Sequence, residues 1–254
     1  MWLGGTTSQP DAIWSSKTSE YFNFDVGSAG DSDSIQMTIN VGEFNNIRHL
    51  TANRDLQIFT TTSELYIPSF ADKGLTPTNA QIRRQTPYGA SFVKPLPFDG
   101  ATLYVQKTGK TIREFLFSDK ESAYVSTPLS LISSHLISNP TQMASVKGAF
   151  DRPEHYAFII NEDGSMAVFH SIRNEEKAGF VKWTTNGRYH SVVSIDDRVF
   201  VATVRNLGSG TNSYVLEELK TTSRLDCSKT YTATSSNNGI FTTSTPFANG
   251  ASLA

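Results

Sequence analysis

The feature that most constrains this chain is a repeated pattern of short apolar segments separated by polar turns. Within residues 46–86, apolar and polar side chains alternate at a period of two, and Asn, Asp and Ser interrupt the segments. Such alternation is typical of an antiparallel β-meander. The same order of segments and turns recurs, which predicts meanders near 46–86, 91–125, 141–185 and 191–220. The spacing of equivalent positions is irregular but averages about 48 residues, within the range of propeller blades; the positions are Ile58, Val105, Ile159 and Val201.

The repeats predict an all-β chain, built as a β-propeller-like array of about four to five blades that need not form a complete ring. The strands before residue 45 count as the fifth blade, so the blades occupy residues 1–220. One short helix is predicted over 128–137, where apolar residues recur at helical spacing. Residues 221–254 are rich in Ser, Thr and Asn and are predicted either to leave the blades toward a domain missing from this chain or to form a loosely ordered end. We also expect the chain to begin inside a longer protein, because Trp2-Leu3 is typical of the end of a strand.

The charge balance argues against avid binding to DNA or to anionic membranes. The formal net charge is −2, and acidic and basic residues are interspersed without a basic stripe. No apolar run approaches the length of a membrane span. The single cysteine, Cys227, excludes an intramolecular disulfide and a cysteine-based zinc site.

A search for catalytic and metal-binding motifs finds none. The five histidines have no metal-ligand spacing, and the strings HExxH and GxSxG are absent. We therefore predict no enzymatic activity, no catalytic residue, no metal site and no cofactor.

One of the functions considered is that of a propeller that binds or cleaves glycans at the surface of a host cell. Two carboxylates can hydrolyse a glycoside, and aromatic rings can stack on sugars, although in a blade such aromatics more often pack in the core. The carboxylate candidates are Glu20, Asp25, Asp31, Asp33, Asp72, Asp119, Glu121, Glu175 and Glu176. The aromatic candidates are Trp14, Tyr21, Phe22, Phe24 and Trp183. A cellular interaction propeller is a third interpretation, which the absence of WD and kelch signatures disfavours.

Three strings contain patterns more specific than the repeats. WLGGTTSQPDAIWSSKTSEYFNF, at residues 2–24, carries Pro10, Trp14, Ser16, Tyr21, Asn23 and Phe24. NIRHLTANRDLQIFTTTSELYI, at residues 46–67, carries Arg48, Leu50, Asp55, Leu56, Phe59 and Thr60. LTPTNAQIRRQTPYGAS, at residues 75–91, carries Arg83, Gln85, Thr86, Tyr88 and Gly89. In this order the strings resemble the tail tubular protein B, or nozzle, family of short-tailed bacteriophages, and we call these positions the signature residues.

The resemblance covers residues 1 to about 220 and implies a structural virion protein of the phage tail. It implies that copies of the full-length protein form a hexameric ring, the nozzle, below the tail adaptor protein. Double-stranded DNA would pass through the channel during ejection without sequence-specific binding, and tail fibres would dock at the junction with the adaptor. Exposed charges are candidates for interfaces, although ordinary solvated positions account for them equally well; they are Arg48, Arg83, Arg84 and Lys94.

Overall fold

The computed structural model describes residues 1–40, 42, 44–69, 74–147, 155–172, 177–206 and 211–220. The described residues form eighteen β-strands in five antiparallel sheets of three or four strands. The predicted all-β fold class is therefore confirmed, and the sheets are consistent with a propeller-like array. The chain divides into two compact units, residues 1–140 and 141–254. The predicted exit segment, 221–254, lies outside the described residues.

The first unit contains three sheets, each built from strands that are consecutive in the chain. The first sheet comprises β1 (Trp2–Gly4), β2 (Ala12–Ser15) and β3 (Gln36–Thr38). The second comprises β4 (Ile47–Ala52), β5 (Leu56–Thr60), β6 (Glu64–Ile67) and β7 (Arg83–Thr86). The third comprises β8 (Leu96–Phe98), β9 (Ala101–Val105), β10 (Ile112–Ser118) and β11 (Ala123–Pro128). Because each strand pairs with its neighbour in sequence, all three sheets are meanders.

The second unit contains two further meanders around one apolar cluster. The fourth sheet comprises β12 (Pro140–Lys147), β13 (His155–Asn161), β14 (Met166–Ile172) and β15 (Lys177–Trp183). The fifth comprises β16 (Arg188–Ile195), β17 (Arg198–Asn206) and β18 (Asn212–Leu219). Both sheets contribute to the core cluster, which includes Phe158, Val168, Val192 and Val201.

The four positions that mark the sequence repeat occupy the same place in their sheets. Each lies in the second strand of its meander and is at most 1% exposed; they are Ile58, Val105, Ile159 and Val201. Strands β9 and β13 are buried along both faces, which explains why their sequences are almost continuously apolar. The period-two signal is clearest in β17, which alternates between buried and less buried residues.

The turn between β8 and β9 shows how local chemistry sets the strand register. Asp99 and Gly100 form this two-residue connection and have φ values of 49° and 78°. Two successive positive φ values are characteristic of the type I′ hairpin turn, for which Asp-Gly is a favoured pair. The register Phe98↔Ala101 follows directly from that turn.

The helix predicted over 128–137 is much shorter than its apolar spacing suggests. The structure has a single turn of 3₁₀ helix at Ser134–Leu136, and Ile132 is 93% exposed. The residues before this turn are hydrogen-bonded to β10 instead, because the Leu129 amide donates to the Ile112 carbonyl. The Ser130 hydroxyl accepts from the Ile112 amide at 3.0 Å and strengthens the same contact. Within the described part of the chain, no helix is long and apolar enough to cross a membrane.

Candidate functional site

Most signature residues of the second and third strings lie where the sheet β4–β7 meets the sheet β8–β11. An aromatic cluster fills this contact, with ring centroids 5.0 Å apart for Phe59 and Tyr104 and 4.6 Å apart for Phe115 and Tyr124. Such aromatic pairs contribute about 0.5–1.5 kcal/mol each beyond the area they bury. Polar side chains surround the rings, and we call the whole contact the inter-sheet joint; its polar members are Asp55, Glu64, Gln85, Thr86, Tyr88, Tyr104, Arg113 and Tyr124.

A fully buried carboxyl group lies inside the inter-sheet joint. Glu64, the first residue of β6, is 0% exposed. Its Oε2 accepts a hydrogen bond from the Thr86 hydroxyl at 2.5 Å and a longer one from the Tyr88 amide at 3.4 Å. Two signature residues therefore hydrogen-bond one oxygen of this carboxyl, while Oε1 is buried with no hydrogen-bond partner among the described residues.

A second series of polar contacts links strands β9, β10 and β11. The Tyr104 hydroxyl lies 2.7 Å from the Ser126 hydroxyl, and burial, together with the nearby charge of Glu64, raises the pKa of Tyr104. Arg113 donates from Nε to the Gln106 side chain at 2.9 Å and from Nη1 to the Ser126 carbonyl at 3.1 Å. Its guanidinium also stacks 3.4 Å from the centroid of the Tyr88 ring. Such a stack is favourable through the cation–π interaction and holds Tyr88 across the two sheets.

The other edge of the inter-sheet joint is organised around Asp55. Its Oδ2 accepts from the Tyr124 hydroxyl at 2.8 Å, and its Oδ1 accepts from the Ser69 amide at 2.7 Å. Burial raises the pKa of Tyr124, and the hydrogen bond to Asp55 acts in the same direction. The Tyr124 amide in turn donates to Oε1 of Gln85 at 2.8 Å. Two signature residues, Asp55 and Gln85, thus bind one residue of the neighbouring sheet.

Thr60 completes the inter-sheet contact from the end of β5. Its hydroxyl donates to Oδ1 of Asn45, which also accepts from the hydroxyls of Thr62 and Ser63. The Thr60 carbonyl accepts from the Ala90 amide at 2.8 Å. The chain segment after Gly89 is thereby fixed against the β5–β6 turn.

The pKa of Glu64 predicts a specific pH dependence of stability. Burial raises this pKa above its ordinary value, against the smaller opposing effect of the Thr86 and Tyr88 hydrogen bonds. A carboxyl with a higher pKa in the folded than in the unfolded state stabilises the fold fully below its unfolded pKa. That contribution is lost as the pH rises through the folded pKa. We therefore expect the stability of the parent chain relative to Glu64→Gln to be highest below about pH 4, near the ordinary pKa of a glutamate, and to fall as the pH rises above it.

Urea unfolding of the parent chain and of Glu64→Gln at a series of pH values, starting below about pH 4, measures the difference in their free energies of unfolding. Glu121→Gln, at an exposed carboxylate in the β10–β11 turn, is the matched control and should leave the pH dependence unchanged. A difference between Glu64→Gln and the parent that stays constant or grows with pH would show that Glu64 does not favour its protonated form in the folded state.

The first signature string forms β1, β2 and the beginning of the loop that leads to β3. The Pro10 carbonyl accepts from the Ile47 amide, and the Ser16 hydroxyl accepts from the N-terminal amine at 2.7 Å. Trp14 lies in β2, and Asn23 hydrogen-bonds Glu20 at 2.6 Å. Phe24 is half-buried, whereas Tyr21 is 65% exposed. Pro10 and Ser16 therefore fix this string by hydrogen bonds, whereas Tyr21 is exposed to solvent.

The remaining signature residues have less central positions. Leu50 and Leu56 pack at the edge of the apolar cluster around Ile58. Arg48 is half-buried on β4, with its guanidinium 3.5 Å from the centroid of the Phe92 ring. Arg83 is exposed on β7. The inter-sheet joint does not include these side chains.

The described residues contain no cluster of three or more His, Cys, Asp or Glu side chains that could hold a metal ion.

Five of the carboxylate candidates for glycoside hydrolysis are exposed in the structure: Glu20, Asp25, Asp31, Asp119 and Glu121. Asp33 is half-buried and pairs with Lys17 at 3.4 Å, while three further candidates, Asp72, Glu175 and Glu176, lie outside the described residues. Trp183 packs edge-on against Phe158 in the core of the second unit.

Sequence reasoning missed three buried charged residues. Glu64 and Arg113 are at most 9% exposed, and in the second unit Arg205 is 2% exposed. Arg205 binds both carboxylate oxygens of Glu217 at 2.9 Å. The available signal is a charged residue on an otherwise apolar strand face, as in SELYIP and VATVRN, because such a residue requires a buried partner.

Comparison with known proteins does not identify the chain. No model of a known protein family matches it, and no curated protein sequence is similar to it.

Proposed function

We propose that this chain is a non-enzymatic structural component of the tail of a short-tailed bacteriophage, belonging to the nozzle through which DNA leaves the virion. In this role it would assemble with copies of itself into a hexameric ring around a channel. It would also contact the tail adaptor protein and the tail fibres. Its action would be mechanical, because a conduit has to hold its shape while DNA passes.

The observation that carries this proposal is the place of the signature residues in the fold. The resemblance rests on positions such as Asp55, Gln85 and Tyr88, and these same side chains bind one sheet to the next. A family pattern made of such contacts specifies a scaffold of fixed sheets. Buried hydrogen bonds to charged groups contribute about 1.5–3 kcal/mol each, so the inter-sheet joint resists deformation.

The charge of the chain agrees with a channel that DNA traverses without being retained. Each phosphate neutralised by a basic residue releases counterions and strengthens binding. The formal net charge of −2, with 22 basic and 24 acidic residues, gives little overall attraction. We infer that any DNA association is weak and sensitive to salt.

The expected result in solution is a six-fold ring with an open centre. Light scattering gives the mass of the native particle, and negative-stain imaging gives its symmetry. A fluorescent DNA duplex titrated at low and at physiological salt gives the affinity on the same preparation. We expect measurable binding only at low salt.

Three results would contradict the proposal. One is a particle that stays monomeric at all concentrations. The second is nanomolar DNA binding at physiological salt. The third is depolymerisation of a host polysaccharide that a single carboxylate substitution abolishes, which would establish the glycan-cleaving alternative.

A further inference from the structure

An ordered acidic loop in the first unit presents aromatic side chains to solvent. We call residues 17–34, between β2 and β3, the acidic loop; it contains four carboxylates and one lysine. The Lys17 ammonium lies 3.5 Å from Asp25 and 3.4 Å from Asp33. Backbone hydrogen bonds join Lys17 to Asn23 and Thr18 to Ser32. These internal contacts hold the loop in one shape before it meets a partner.

The tip of the acidic loop has the composition of a protein-docking element. Phe22 is 90% exposed and Tyr21 is 65% exposed, although exposed aromatic pairs are uncommon on a solvated turn. Glu20 precedes these aromatic residues and Asp31 follows later in the same loop; both are exposed and form no ion pair among the described residues. The tip therefore combines apolar area with uncompensated negative charge.

A patch with the opposite charge lies elsewhere in the same unit. We call Arg48, His49, Phe92 and Lys94 the basic patch. Phe92 is 76% exposed, and the Arg48 guanidinium covers one side of its ring at 3.5 Å. The segments 44–52 and 89–98 contain no Asp or Glu, and Arg48 forms no ion pair among the described residues. Burial lowers the pKa of His49, and the positive charges of Arg48 and Lys94 lower it further.

We propose that the acidic loop of one copy of this chain docks on the basic patch of a second copy, with Phe22 and Phe92 in the centre of the contact. This inference rests on the proposed ring assembly and names the surfaces that would form it. Arg48 and Lys94 would pair with Glu20 and Asp31 around the aromatic residues. The arrangement of aromatic and arginine side chains inside a charged rim is that of an interface hot spot.

Charge complementarity favours a second copy as the occupant. Each chain carries both surfaces, with opposite charge and with one exposed phenylalanine each. Because the two surfaces are different, the contact is head-to-tail, and a pair of copies keeps one free acidic loop and one free basic patch. Such heterologous contacts close into rings when the rotation between neighbours allows it. The interface therefore has the symmetry that a nozzle needs.

Substitutions on the full chain test both halves of the contact. Phe22→Ala, Asp31→Lys and Lys94→Asp are each expected to weaken self-association by roughly tenfold or more, because they remove a central side chain or create a like-charge pair. The combined variant Asp31→Lys with Lys94→Asp restores opposite charges and is expected to recover association. Sedimentation velocity over a concentration series measures the association constant.

Matched controls exclude general effects on solubility. Ile132→Ala removes an apolar side chain that is 93% exposed, and Lys120→Asp reverses an exposed charge in the same unit. Both should associate like the parent chain. A photo-reactive benzoylphenylalanine in place of Phe22 should cross-link to residues 44–52 or 89–98 of a second copy.

The outcomes distinguish this inference from the proposed function. Six-fold rings that are insensitive to Phe22→Ala and to both charge reversals would overturn the docking inference and leave the nozzle proposal intact. Dimers or open filaments that carry the expected cross-link would support the docking inference and contradict the ring. A monomer with no cross-link at any concentration would overturn both.

Discussion

Replacing Glu217 with leucine is expected to destabilise the second unit by about 3 kcal/mol or more. Arg205 is 2% exposed and donates to both carboxylate oxygens of Glu217 at 2.9 Å. The Thr203 hydroxyl donates to the same carboxylate, also at 2.9 Å. Removing the carboxylate takes both of these charged acceptors away from a buried guanidinium, whose hydrogen bond to the Asn186 carbonyl at 3.0 Å carries no compensating charge. A broken buried ion pair of this kind typically costs about 3–5 kcal/mol.

Chemical denaturation, with hydrogen exchange of β16–β18 to localise the effect, provides the measurement. Glu218→Leu is the matched control, since Glu218 also binds an arginine through both oxygens, at 2.7 and 2.9 Å from Arg198. That pair is partly solvated, with the Arg198 side chain 57% exposed, so its loss should have a much smaller effect.

The double substitution Arg205→Leu with Glu217→Leu separates charge from packing. Removing both charges avoids the uncompensated guanidinium, and most of the stability should return. If the double variant is as unstable as Glu217→Leu alone, the loss comes from packing rather than from the buried charge.

Replacing Gly89 with alanine is expected to destabilise the first unit by about 3 kcal/mol. Gly89 has a φ of +72°, a backbone conformation that costs other residues about 1–2 kcal/mol. A Cβ atom at this position would also lie well inside van der Waals contact with the Thr61 carbonyl oxygen. Because that oxygen belongs to the backbone, relief requires the β5–β6 turn and the segment after Tyr88 to move apart.

Gly100→Ala is the matched control for Gly89→Ala. Gly100 has a similar φ of +78°, but a Cβ atom there would meet nothing within 4 Å. Its cost should therefore be the backbone term alone, about 1–2 kcal/mol. Equal losses for the two variants, measured as midpoints of urea unfolding, would show that the approach of Gly89 to Thr61 does not limit stability.

Local pattern was sufficient to predict most strands of this protein. Alternation around Ile58 and Val201 placed strands β5 and β17, and Asp99-Gly100 marked the hairpin between β8 and β9. The prediction was weakest at 128–137, where Leu129, Ile132 and Leu136 have helical spacing. Tertiary contacts prevailed there, because hydrogen bonds between Ile112 and residues 129–130 hold the backbone against β10.

The inter-sheet joint could be predicted only in part. The string resemblance selected Asp55, Gln85 and Thr86, which lie in it, but it also selected Arg48, which does not. Glu64 was not selected, although it is the most buried charge of the joint. Its partner Thr86 lies 22 residues away, a separation at which no periodicity connects two positions.

The class of fold and the positions of most strands and of several turns follow from the amino-acid sequence alone. These properties depend on backbone preferences and on side-chain alternation over a few residues, so they can be inferred from residues that are close in the sequence. The packed fold was needed to show which sheets meet, which charges are buried and which aromatic residues stay exposed. These outcomes depend on contacts between residues distant in sequence, such as Asp55 with Tyr124, whose geometry exists only after the sheets have packed.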